Sequence, residues 1–188
     1  MTRVHRPHLL GIDDGPFERN ACEVAIVGVM MEGRDLVEGI AVTHFPADGD
    51  DVTGFLAAWI TGLRFRPALQ GVVLGGITIA GLAIVDVAAL AERIATPVLA
   101  VSRRDPRNHR LADALRAAGL SDRQAIVDRI PPALALAANV FVACAGTSAE
   151  GAAELVRASR SKADVPESLR LAHLIARAVV TGESHGRV

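Results

Sequence analysis

The fold is decided by one stretch: Val24-Ala25-Ile26-Val27-Gly28-Val29-Met30-Met31, the polar link Glu32-Gly33-Arg34-Asp35, and Leu36-Val37-Glu38-Gly39-Ile40-Ala41-Val42-Thr43-His44-Phe45. Both runs are β-rich, and a short link containing glycine is of hairpin length, so the two read as antiparallel neighbours. Upstream, His8 to Ile12 reads as a short strand that ends in the turn cluster Asp13-Asp14-Gly15-Pro16. The three runs form an antiparallel meander. Downstream of Pro46-Ala47-Asp48-Gly49-Asp50-Asp51 the apolar spacing changes from two to helical. Phe55, Leu56, Trp59, Ile60 and Leu63 share one face of a first helix that begins near Asp51.

Further on, strands and helices alternate. Gly71 to Leu74 is a strand, followed by a glycine-rich turn and a helix around Val85 to Ile94. Val98 to Val101 is the next strand, and Asn108 to Ala117 the next helix. Ser121 and Gln124 are spaced as a capping box for a helix through Ile130. The apolar run Ala133 to Cys144 holds another strand, and two helices close the chain, about Ala149 to Ser159 and Pro166 to Thr181, with Pro166 in the first turn. Three antiparallel strands followed by βα units predict an α/β fold with one mixed sheet and helices on both faces. That order resembles ribonuclease H-like folds, whereas a doubly wound sheet would begin βαβ.

A length of 188 residues suits a single domain, 1–188. The chain is 51% hydrophobic but only 3% aromatic, with one Trp and no Tyr, which excludes disorder and leaves the core to aliphatic side chains. Twenty basic and twenty-one acidic residues give a formal charge of −1, which excludes a polybasic nucleic-acid coat. Cys22 and Cys144 fit neither a zinc site nor a disulfide framework and read as buried thiols in a reducing compartment. No secretory signal follows Met1 to Pro7, and the longest apolar stretches are interrupted short of a bilayer span, so a cytoplasmic protein is expected.

Several residues can carry chemistry. Asp13 and Asp14 stand at the end of the first strand, where a carboxylate can hold a hard divalent cation or simply close an Asx turn. Asp48, Asp50 and Asp51 crowd the start of the first helix, and one of them caps it. Gly75 to Gly81, containing Thr78, follows the fourth strand; its glycines allow close approach to a phosphate or sugar but match no nucleotide fingerprint. Arg103, Arg104, Arg107, Arg110 and Arg116 make a basic segment suited to phosphates, or a solvated helix face. On the last helix Leu171, Leu174, Ile175, Ala178 and Val179 read as the buried stripe. Arg170, His173 and Arg177 lie together beside it. Two flanking arginines would disfavour the charged form of His173 and leave a neutral imidazole as ligand or base.

The motifs Gly11-Ile12-Asp13-Asp14-Gly15-Pro16-Phe17, Asp48-Gly49-x-Asp51-x-Thr53, Gly76-Ile77-Thr78-x-Ala80-Gly81 and Pro166-Glu167-x-Leu169-Arg170-x-Ala172-His173-Leu174-Ile175-Ala176, with Gly182-Glu183-Ser184 behind them, resemble in that order an uncharacterised, mainly archaeal family, domain of unknown function ninety-nine, similar to endonuclease V. The resemblance spans His8 to Arg187. It implies a ribonuclease H-like nuclease that uses Mg²⁺ or Mn²⁺ on nucleic acid. By position, Asp13 matches the strand-one metal carboxylate, Asp51 the acid ahead of the first helix, and His173 the active-site residue of the late helix. At the end of the fourth strand Gly75-Gly76 stands where endonuclease V has Asp-Gly, so the implied metal site is incomplete. Two readings follow. In the first, a metal-dependent nuclease or phosphodiesterase uses Asp13 and Asp51 as metal ligands, His173 on water, and Thr78, Arg103, Arg104, Arg107 and Arg170 on substrate. In the second, a catalytically degenerate module on the same fold binds a nucleotide or small ligand through Asp13, Thr78 and His173.

Overall fold

The structure, a computed structural model, describes residues 6–18, 20–103, 110–137 and 139–185. Its centre is a seven-stranded sheet in the order β3-β2-β1-β4-β7-β9-β8. The strands are β1 (His8–Asp14), β2 (Glu23–Glu32), β3 (Leu36–Pro46), β4 (Gly71–Leu74), β7 (Val98–Ser102), β8 (Leu134–Ala137) and β9 (Val140–Ala145), with a separate pair β5 (Thr78–Ile79) and β6 (Ala83–Ile84). The helices are α1 (Val52–Gly62), α2 (Val87–Ile94), α3 (Arg110–Ala117), α4 (Gln124–Val127), α5 (Ala149–Ser159) and α6 (Glu167–Thr181). β1 runs antiparallel to β2 and β2 to β3, while β1, β4 and β7 are mutually parallel. This is the mixed sheet that a meander followed by βα crossovers requires.

Alternate residues of β1 face opposite layers, as the strand period of two dictates. Leu10 and Ile12 join β2, β4 and β7 residues in a cluster with Leu56 and Ile60 of α1 and Leu90 and Ile94 of α2. Leu9 packs on the other face with Val156 of α5 and Leu169 of α6. Helices therefore cover both faces. The aliphatic residues suffice because strand glycines make room for the few rings: a Cβ on Gly28 would meet Trp59 at 3.0 Å, and one on Gly39 would meet Phe65 at 2.7 Å.

Five expectations are corrected. β9 returns antiparallel to β7, and the run 133–144 is a hairpin of two strands, so the βα alternation stops at β7. The glycine-rich turn after β4 contains the β5–β6 hairpin, and α2 starts at Val87 with Asp86 as its cap. Ser121 caps nothing: Ser121–Arg123 is a 3₁₀ turn, and Gln124 opens the single turn α4, its side chain donating to Asp128 Oδ1 instead. Pro166 is the N-cap of α6 rather than its first helical residue. Of the two thiols, Cys22 is exposed and Cys144 half-buried, so neither is a core residue. Among the described residues no helix is long and apolar enough to cross a membrane.

Candidate functional site

Gly11, Asp13 and Gly15 share one face of the strand and its exit, and that face receives α6. A Cβ on Gly11 would sit 2.2 Å from the Ser168 carbonyl carbon, and one on Gly15 would lie 2.8 Å from Ala176 O. The two glycines therefore let α6 lie directly on β1, and Asp13 falls between its two contact points. The buried face of α6 is accordingly small, Ser168, Leu169, Ala172 and Ala176. The expected leucine-rich stripe is displaced to its flank, where Val179 is half exposed. This close seating brings His173 Nδ1 to 2.8 Å from Asp13 Oδ2 across 160 residues of chain.

The pair is half-buried, with the Asp13 side chain 16% and that of His173 43% exposed, so the imidazole remains reachable from solvent. The expected direction, a charged form disfavoured by flanking arginines, is reversed. The Asp13 hydrogen bond raises the His173 pKa above its ordinary value; burial and Arg177 oppose that, but less strongly. Arg170 is not directed at the ring: its guanidinium forks onto Glu167, Nε to Oε2 at 2.9 Å and Nη2 to Oε1 at 2.5 Å. Asp14, on the opposite face, is pushed up to about 6 by burial and then by the neighbouring Asp13 charge.

Asp14 has a structural partner that its sequence position does not suggest. Its Oδ2 accepts from Ala80 N at 3.0 Å, while Asp48 N donates to Ala80 O at 2.9 Å and Asp48 Oδ1 accepts from Leu82 N at 2.6 Å. Ala80 is held at φ 50°, a left-handed conformation costly for alanine, with both its N–H and C=O fixed by these two aspartates. Arg123 completes the clamp from the far side. Its side chain is 7% exposed and donates to Leu82 O at 2.9 Å, Asp48 O at 2.6 Å and Asp50 Oδ1 at 2.7 Å. The three acids ahead of α1 thus divide their tasks: Asp48 holds the β5–β6 hairpin, Asp50 pairs with Arg123, and Asp51 caps α1 through Gly54 N at 3.0 Å.

Asp51 is not gathered with Asp13 and His173. Among the described residues the three-donor group close enough for one ion is His8, Glu32 and Glu38, with His8 at the opposite end of β1 from Asp13. Gly75 explains why the end of β4 adds no carboxylate, since even a Cβ there would lie 2.5 Å from Asp13 Oδ1. The donors that remain suit a magnesium-type ion of open coordination. Asp13 accepts from His173 and from Asp14 N, yet a carboxylate has further lone pairs, and Mg²⁺ commonly takes one or two carboxylates and completes its shell with water and substrate phosphate.

Thr78 lines a cavity of about 760 Å³ that begins at Gly75, beside Asp13, and is walled by Gln124, Val127 and Phe141. Arg110 also lines it. Arg103 is exposed after β7, Arg116 pairs with Asp113 at 2.8 Å, and Arg104 and Arg107 lie outside the described residues. Arg123 escaped the sequence reading, because a single arginine in a polar turn carries no periodic signal for burial.

A meander leading into parallel strands is a ribonuclease H-like fold, and here an Asp–His pair sits where β1 meets α6. The chain belongs to the endonuclease dU family, whose model matches residues 5–180. A UPF0215 protein of Methanothermobacter thermautotrophicus is 34% identical over 183 residues, covering 95% of this chain and 90% of that one. The crystal structure of a protein of unknown function from Archaeoglobus fulgidus superposes with a TM-score of 0.86 at 30% identity, over 94% of this chain and 100% of that chain. The catalytic domain of human endonuclease V follows with a TM-score of 0.63 at 14% identity, covering 94% and 83%, and so shares the fold.

Proposed function

We propose that the protein is an endonuclease that hydrolyses a phosphodiester bond of DNA beside deoxyuridine, with Asp13 and His173 as its reacting pair. The observation that carries this reading is the 2.8 Å contact between Asp13 Oδ2 and His173 Nδ1, half-buried and open to solvent on the imidazole side. Membership of a family described as endonuclease dU supports the substrate. With Nδ1–H committed to Asp13, the Nε2 edge is the one left for water or a phosphate oxygen, and the carboxylate keeps the ring oriented and basic. A divalent cation at Asp13, Mg²⁺ or Mn²⁺, would neutralise phosphate charge as it builds up. Asp51 caps α1 and is not gathered with Asp13 and His173, so the proposal rests on Asp13. The cavity beside Gly75 and Thr78 is of the size to admit a base turned out of its stack; Arg110 lines it, and Arg103, exposed just after β7, is the next cation offered to phosphates.

The test is cleavage of a labelled strand carrying one deoxyuridine, against its thymidine counterpart, with Mg²⁺ and with Mn²⁺, by the natural protein, Asp13→Asn and His173→Gln. Strand scission at the deoxyuridine, reduced at least 100-fold in both variants, is expected. Calorimetric titration of the ions should show binding that Asp13→Asn abolishes. Equal cleavage by the variants overturns the assignment of the pair. Metal-independent binding of the strand without scission would instead make the chain a nucleic-acid-binding module.

A further inference from the structure

Aromatic rings are scarce in this chain, five Phe and one Trp; Phe45 is buried, and Phe55, Trp59, Phe65 and Phe141 are half-buried in packed positions. Phe45 and Phe55 pack with ring centroids 4.9 Å apart. Trp59 lies on Gly28 and Phe65 on Gly39. Phe141 lines the larger cavity. Phe17 alone, at 39%, is an exposed aromatic among the described residues.

Its position is not that of a stray surface ring. Phe17 comes four residues after Asp13, in the connection from β1 to β2, whose first turn is tied down by Gly15 N donating to Ala25 O at 2.9 Å. One end of the ring rests on Gly81: a Cβ there would lie 3.2 Å from Phe17 Cζ and 2.3 Å from Asp48 Oδ1, and Gly81 has φ +94°. Gly81 follows Ala80, the residue held by Asp14. The ring is thus seated on the clamped hairpin, which Asp14 ties to the end of β1, and 39% of the residue stays open. On its other side it walls a cavity of about 470 Å³ with Pro16, His44, Val179 and Val180. Leaving an aromatic open costs hydrophobic free energy, which a ligand with a flat apolar face recovers, and every nucleobase has such a face.

We propose that Phe17 is the platform on which a base of the bound strand stacks while the adjoining phosphodiester lies at Asp13 and His173. This rests on the nuclease reading, and the experiment separates the two. Binding of a fluorescein-labelled single-stranded deoxyuridine oligonucleotide is measured by anisotropy in EDTA, for the natural protein, Phe17→Ala and Phe17→Trp. Phe17→Ala should bind at least tenfold more weakly, with the dependence on salt unchanged because no phosphate contact is lost. Phe17→Trp should bind at least as tightly as the natural protein, and its added tryptophan emission should be quenched by the oligonucleotide. A strand of abasic sugars should not distinguish Phe17→Ala from the natural protein. Equal affinity of Phe17→Ala and the natural protein for the base-bearing strand overturns the platform and leaves the nuclease reading standing. Failure of the folded natural protein to bind any strand overturns both.

Discussion

Asp13 and Asp14 are neighbours with opposite surroundings, and the difference is measurable. Asp13 faces α6 and shares a hydrogen bond with a positively inclined imidazole; Asp14 faces the hairpin, largely buried, with a carboxyl pKa of about 6 against an ordinary 3.8. A carboxyl whose folded pKa is raised binds its proton more tightly in the folded state. Its contribution to stability is therefore full below the unfolded pKa and lost as pH rises through about 6. At pH 7.5 the ionised Asp14 costs up to about 3 kcal/mol. Asp14→Asn keeps an oxygen for Ala80 N and removes the charge. Urea unfolding in EDTA should show the variant more stable than the natural protein at pH 7.5, with the two converging near pH 4. His173, also raised, loses its stabilisation in the same direction, so it is retained in both proteins. Identical pH profiles would show that Asp14 is not ionised against its surroundings. In the sequence, Asp13 and His173 stood out through a strand end, a helical spacing and a resemblance. The upward shift of the His173 pKa did not, because it depends on Asp13 arriving from 160 residues away, while Arg170 is drawn to Glu167 three residues earlier.

At the level of elements, the meander and the packing of helices on both faces of the sheet were legible because strand and helix periods differ, and Gly11 and Gly15 prepared β1 for a helix laid directly on it. Less was legible after β4. Strands of two residues, such as β5 and β6, carry no periodicity, and nothing in an apolar run states whether it will pair parallel or antiparallel, which is why β8 and β9 differ from the expected single strand. The clamp on the hairpin is a tertiary arrangement of Asp14, Asp48 and Arg123, of which Asp48 and Arg123 alone are 75 residues apart. Its energetics are unequal. The Arg123 guanidinium is buried and binds two backbone carbonyls that lose their donor if it is removed, whereas Asp50 is 95% exposed and water replaces its partner readily. Arg123→Met, which keeps most of the volume, should lower stability by about 2–3 kcal/mol, and Asp50→Ala by less than about 1 kcal/mol. Both are read from urea midpoints. Equal losses would mean that the ion pair, not the carbonyl contacts, holds the hairpin.

Across the whole molecule the charge is −1, twenty basic residues against twenty-one acidic. Such a balance provides no long-range attraction for a polyanion, so a strand bound by this protein must be held by a few local cations together with uncharged contacts such as base stacking. Each neutralised phosphate of a single strand contributes about −0.7 to the slope of log K against log salt. With Arg110 lining the cavity, Arg103 exposed after β7, and Arg104 and Arg107 in the same segment of sequence, the slope for a deoxyuridine strand should fall between about −1 and −4. Arg103→Ala should make it shallower by about 0.7, weakening all sequences alike, because a phosphate contact carries no base information. Anisotropy titrations from 50 to 300 mM salt read both quantities. A slope steeper than about −7 would require on the order of ten phosphate contacts. That would contradict a near-neutral molecule gripping DNA at one edge, and would point to a second strand-binding surface or to several copies of the chain on one strand.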